Sequence, residues 1–221
     1  MSAASSGRCG PLPRGTRVDR GESNLKRLFD VCVSLVALII LSPLLLGLAV
    51  WIKLDSRGSV FFRQTRVGLR GRNFLIHKFR TMRGDPTGAA LQVTVGADPR
   101  ITAAGTFLRR YKLDELPQLI DVLSGKMSIV GPRPEVPKYM AVYPEATREK
   151  VLSVRPGITD WASVKFRSEN EMLANAADPE RTYIEEILPV KQQYYLKYVE
   201  SHTFIDDIRI ILATLLAAVR G

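Results

Sequence analysis

A chain of 221 residues, 46% of them hydrophobic, can bury a sizeable core, and its length fits one domain with a tail. Its two cysteines, Cys9 and Cys32, make no disulfide framework and suit a reducing compartment, while two distant histidines, His77 and His202, exclude familiar zinc spacings. The net charge of +10 points to an anionic partner.

Residues 1–22 are rich in Ser, Gly, Pro and Arg without apolar periodicity, which predicts a disordered basic tail. No apolar core separates Arg8 from Arg17 and Arg20, so the tail does not read as a secretory signal. Residues 31–52 then carry no charge, and as a helix would reach about 33 Å, enough to span a bilayer. Two features argue against spanning. Ser42-Pro43 lies near the middle, where proline removes a helix hydrogen bond, and both flanks are positive, with Lys26 and Arg27 before and Lys53 and Arg57 after. A segment over 23–56 that enters one leaflet, breaks at Ser42-Pro43 and returns satisfies both. A kinked spanning helix satisfies the residues about equally well.

From Lys53 to Arg83 nine Lys/Arg face a single acid, Asp55. Such a patch suggests nucleic acid, but no recognition helix, zinc finger or stacking motif accompanies it. Beginning beside an apolar segment, it reads instead as a face for anionic lipid headgroups. Val60–Val67 and Asn73–Phe79 partly alternate around Gly68-Leu69-Arg70-Gly71, which predicts a β-hairpin. A loop is expected over 84–100, and helices over 102–111, 116–124, 134–143 and 182–200. Residues 204–219 form a second apolar stretch, too short to span and expected to pack on the domain or lie in the membrane interface. The fold class is therefore α/β, mainly α with a small hairpin, with a compact cytoplasmic domain over 57–221.

The chemistry concentrates between Arg109 and Glu135, RRYKLDELPQLIDVLSGKMSIVGPRPE. Asp114 and Glu115 follow Arg109, Arg110 and Lys112 and precede Lys126 and Arg133. Cations keep a carboxylate ionised and also bind phosphate, as a site with a carboxylate nucleophile requires. The structural alternative is a helix start capped by Asp114, with Glu115 in its first turn.

The whole stretch resembles the bacterial sugar transferases called small monotopic phosphoglycosyl transferases. Leu113–Leu119, Gly125–Ser128 and Val130–Pro134 match that family's catalytic motifs, VFFRQTRVG and KFRTM match two more, and Lys26-Arg27-Leu28-Phe29-Asp30 with Ser42-Pro43 resembles its broken re-entrant membrane helix. The resemblance implies transfer of a phosphosugar from a UDP-sugar to polyprenol (undecaprenol) phosphate, with UMP released, as the first membrane step of surface glycan assembly, exopolysaccharide or lipopolysaccharide. It implies Asp114 as the nucleophile of a covalent phosphosugar intermediate, Glu115 as its catalytic neighbour, and Mg²⁺ on Asp114 and Glu115. Arg109, Arg133, Lys78 and Arg80 join as substrate-binding cations. It places the chain on the cytoplasmic face of the bacterial inner membrane, where downstream glycosyltransferases or a second copy of the chain are its candidate protein partners. After Pro156-Gly157-Ile158-Thr159, Asp160–Arg167 departs from the family's commoner pattern, which leaves the sugar open. Trp161 there reads as a stacking platform or as core. The competing class is a non-enzymatic, membrane-anchored basic module, which explains the charge and the apolar segment but not the carboxylate pair.

Overall fold

A computed structural model describes residues 24–83 and 98–219; the tail expected over 1–22 and most of the loop over 84–100 lie outside the described residues. The long uncharged run becomes one helix, α1 (Asn24–Asp55), with Pro43 inside it. Proline cannot donate to the carbonyl four residues back, which here is Ile39. The Ser42 hydroxyl donates to that carbonyl instead, at 2.7 Å. The expected break is thus a proline accommodated within continuous helix rather than a non-helical interruption.

Both ends of α1 dock on the rest of the chain. In its first turns Lys26 Nζ donates to Asp207 (2.6 Å) and to the Val130 carbonyl (3.1 Å), and Asp30 accepts from the Ser128 hydroxyl (2.7 Å). At the other end Leu48 and Ile52 pack with Phe79, Ala104 and Leu108, and Asp55 accepts the Ala104 N–H at 2.9 Å. Between the docked ends Leu35, Val36, Ile39, Ile40 and Leu46 stay exposed.

The hairpin forms as the sequence predicts: β1 (Phe61–Val67) pairs antiparallel with β2 (Asn73–Phe79), from Phe61 opposite Phe79 to Val67 opposite Asn73. Helix α2 (Ala103–Arg110) follows, capped by Thr102, whose hydroxyl accepts the Gly105 N–H. Gly105 lies so close to the chain leaving β2 that a Cβ there would sit 2.0 Å from the Thr81 carbonyl oxygen. The alternative of a helix start capped by Asp114 does not hold, while the helix expected over 116–124 forms within those bounds. Lys112 adopts a left-handed conformation (φ 57°), Leu113–Glu115 makes a 3-10 turn, and α3 (Gln118–Leu123) begins only after Pro117. Asp114 therefore lies inside a turn and caps nothing.

Strand β3 (Ser128–Val130) leads to α4 (Pro137–Met140) and α5 (Glu145–Val151), and β4 (Gly157–Thr159) pairs in parallel with β3. The helix expected over 134–143 shrinks to α4. Pro134 and Pro137 lack N–H donors, and Val136, preceding a proline, is held extended. Short helices α6 (Trp161–Lys165), α7 (Glu169–Ala174) and α8 (Pro179–Thr182) follow. A π-helical stretch, Tyr183–Ile187, runs from α8 into α9 (Leu188–Ser201), and α10 (Phe204–Val219) comes last. On α10, Asp207 and Ile210 are buried, while Ile205, Leu212, Leu215 and Leu216 are exposed. The described chain is mainly helical, with two small sheets.

Candidate active site

Glu115, placed by the 3-10 turn, faces two cations from distant segments. Lys78 on β2 donates to its Oε1 at 2.8 Å. Arg133, in the Gly131–Pro134 turn after β3, reaches both of its oxygens, Nη1 to Oε2 at 3.2 Å and Nη2 to Oε1. Burial pushes the Glu115 carboxyl up, but Arg133 and then Lys78 more than offset this and hold it well below the usual carboxylate range. Glu115 in turn raises Arg133 well above its ordinary value, while burial lowers Lys78.

Asp114 is in the opposite situation. Among the described residues its carboxylate accepts no hydrogen bond and makes no ion pair, and burial raises its pKa against the pull of Lys78, Lys112 and Arg109. Lys78 and Arg133 are committed to Glu115, the firmly ionised member of the pair, while Lys112 and Arg109 act on Asp114 by charge alone. Two adjacent carboxylates with pKa values driven apart can take different tasks: one fixed charge and one exchangeable group.

Arg109, on the last turn of α2, donates its Nε to the Thr81 hydroxyl at 2.8 Å, and its cation is drawn to Asp114 and Asp98. Arg80 is elsewhere. Its guanidinium donates to the carbonyls of Arg57 (2.8 Å), Ser56 (2.7 Å) and Ile52 (3.3 Å), closing the C-terminal end of α1. In this structure its hydrogen bonds cap that helix end and do not reach Glu115. Ser42 and Pro43 lie in the exposed middle of α1. Trp161 is 41% exposed, so it is no core tryptophan.

Sequence reasoning missed the residues that hold this constellation. Arg66 on β1 donates to the Pro134 carbonyl (3.0 Å), and the Val67 N–H to the Glu135 carbonyl (2.9 Å), so the hairpin fixes the turn carrying Arg133. Asp121, fully buried on α3, accepts the His77 N–H and pairs with its ring Nδ1, both at 2.8 Å, and so anchors the β2 edge beside Lys78. The signal was an arginine inside a strand and a carboxylate on the inner side of a helix, both costly to bury unless hydrogen-bonded.

For a divalent cation the fit is partial. Both Glu115 oxygens are taken by Lys78 and Arg133, and no group of three metal-ligating side chains exists among the described residues. Asp114 alone presents unpartnered hard oxygens. That suits Mg²⁺, which typically takes one or two carboxylates and completes its shell with phosphate and water. Glu115 as a metal ligand does not fit this arrangement.

The profile of the bacterial sugar transferase family matches residues 21–221. A UDP-glucose:undecaprenyl-phosphate glucose-1-phosphate transferase of Xanthomonas campestris pv. campestris is 44% identical over 86% of the chain and 37% of its own length. Exopolysaccharide production protein PSS of Rhizobium leguminosarum bv. phaseoli is 40% identical over 87% of the chain and 94% of its own length. An Aeromonas hydrophila UDP-N-acetylgalactosamine-undecaprenyl-phosphate N-acetylgalactosaminephosphotransferase is 34% identical over 89% of the chain and 44% of its own length. The chain thus spans less than half of the first and third of these relatives.

Proposed function

Since the chain belongs to the bacterial sugar transferase family, we propose that it moves a sugar 1-phosphate from a UDP-sugar to undecaprenyl phosphate through a covalent intermediate on Asp114. An Asp114 oxygen attacks the sugar-bearing phosphorus, the bond from that phosphorus to UMP breaks, and UMP leaves. A phosphate oxygen of the lipid then attacks the same phosphorus and releases the Asp114 carboxylate. Division into two displacements lets the soluble and the membrane-borne substrate enter separately, with ping-pong kinetics.

The observation that carries this reading is the contrast within the carboxylate pair. Glu115 is locked between Lys78 and Arg133, while Asp114 beside it keeps its oxygens free of hydrogen bonds among the described residues. Lys78, Arg133 and Arg109 put fixed positive charge where anionic substrates must approach an anionic nucleophile, and preorganised charge of this kind lowers such a barrier. Mg²⁺, held by Asp114 and the diphosphate, would supply further neutralisation of the phosphate charge.

The reading extends to the membrane. Both ends of α1 dock on one domain, the middle is apolar and exposed, and its flanks are positive on both sides. A spanning helix would set those ends about 30 Å of hydrocarbon apart. A re-entrant α1 keeps both at the cytoplasmic face of the inner membrane, and the exposed apolar side of α10 adds an interfacial contact. The pathway we propose is surface glycan assembly, in keeping with the exopolysaccharide production for which the Rhizobium relative is named.

The test is intact-mass analysis after mixing with UDP-sugars alone, UDP-glucose and UDP-N-acetylgalactosamine first. A hexose-phosphate or N-acetylhexosamine-phosphate adduct should form on the natural chain and identify the donor. Asp114→Asn should form none, and an adduct that survived this substitution would falsify the nucleophile assignment.

A further inference from the structure

We infer that Thr81 is a positioning residue for Arg109: its hydroxyl pins one edge of the guanidinium so that the opposite, two-pronged edge is presented to the substrate diphosphate. This rests on the reading of Arg109 as a substrate-binding cation. Arg109 has five N–H donors in a planar fork, and only Nε has a hydrogen-bond partner among the described residues, the Thr81 oxygen at 2.8 Å. The Nη groups, the pair that grips phosphate bidentately, have none. One hydrogen bond at Nε fixes the plane of the fork and leaves its working edge open.

Thr81 is itself held rigidly. Its side chain is buried, its carbonyl accepts the Thr102 N–H at 3.0 Å, and the helix carrying Arg109 is wedged against it at Gly105. The adjoining backbone pairs as well, Met82 with Ile101 and the Arg83 N–H with the Arg100 carbonyl (2.8 Å). The Thr81 oxygen and the α2 axis therefore form one rigid unit, and the Arg109 guanidinium spans its two parts. Among the described residues the one other carboxylate drawn to Arg109, Asp98, is tied by three side-chain hydrogen bonds to Arg100 and does not close the fork.

The experiment uses the full chain in membranes or detergent, with UDP-glucose as donor or UDP-N-acetylgalactosamine if the adduct assay selects it. Thr81→Val keeps the shape and removes the acceptor, Thr81→Ser keeps the acceptor, and Thr81→Ala removes it with less bulk should valine fold poorly. Loss of a hydrogen bond to a charged group predicts a fall of roughly tenfold or more in kcat/KM for the first half-reaction in the valine and alanine variants. The fall should appear mainly as a raised donor KM, and Thr81→Ser should recover most of it. In an Arg109→Ala background Thr81→Val should cost nothing further, because its target is gone. Losses that multiply in the double variant would make Thr81 merely structural and overturn the inference. Natural kinetics in Thr81→Val beside an impaired Arg109→Ala would also overturn it while leaving Arg109 in the site. Natural donor kinetics in Arg109→Ala would remove both residues together.

Discussion

Asp114 and Glu115 are adjacent, yet burial lifts the first while Arg133 and Lys78 hold down the second against the same burial. On the proposed mechanism Asp114 must be ionised to attack, so the acid limb of the first half-reaction should lie above the ordinary aspartate value of 3.8. Lys78 is the foremost cation pulling that value down, so Lys78→Met should move the limb to higher pH. Glu115→Gln removes a like charge and frees two cations, so the limb of its residual activity should move lower. Shifts of the opposite sign, in single-turnover rates across pH, would remove Asp114 from that limb. For stability the sign is that of a depressed carboxylate: the Glu115 contribution is present above its ordinary 4.5 and is lost as pH falls through its lowered value. Glu115→Gln should cost about 3 kcal/mol near neutral pH, since two buried cations lose their counter-charge, and the gap to the natural chain should narrow below pH 4.5 in denaturant titrations. Lys112 supplies the left-handed turn before Asp114 at φ 57°, a conformation that glycine adopts without penalty. Lys112→Gly should therefore raise stability by up to about 1 kcal/mol, read as a higher Tm. A lower Tm would mean that the lysine side chain itself holds the turn.

Among the elements, α1 tests the membrane reading. Single cysteines at positions 23 and 56, in a background without Cys9 and Cys32, should both resist an impermeant label applied outside spheroplasts. Labelling at 23 alone would mean a spanning helix. Lys26→Met should destabilise by about 3 to 5 kcal/mol because it strands the buried Asp207 charge, while a double replacement with Asp207→Leu should cost less. The hairpin, α2 and the α9 region were legible because each has a local cause: turn glycines, a Thr102 cap, a 3.6-residue apolar period. The parallel pairing of β3 with β4 was not, since strands of three residues have no readable period and their partner lies 29 positions away. The same limit applied at the site. The acidic pair and its cations were visible as one run, but that Arg133 and Lys78 clamp Glu115 and leave Asp114 open depends on three segments meeting in space. Arg80 looked equivalent to Lys78 two residues earlier, and only the carbonyls at the end of α1 distinguish its task.

At the scale of the molecule, the Mg²⁺ proposed above would be held only weakly by the chain itself, because Asp114 offers it a single carboxylate. Excess EDTA should stop turnover, Mg²⁺ or Mn²⁺ should restore it, and elemental analysis of the washed protein should find little metal. Turnover in excess chelator would sink the metal proposal. The buried pair that fastens α1 also imposes an order on synthesis. Asp207 is made 181 residues after Lys26. At roughly 5 to 20 residues per second, the ribosome adds Asp207 about 10 to 35 s after that lysine. During that interval its positive charge lies beside an apolar segment, the kind of charge that stays on the cytoplasmic side. If α1 inserts as proposed, this one residue would first hold its flank on the cytoplasmic side and later join the core, fastening the segment when α10 arrives.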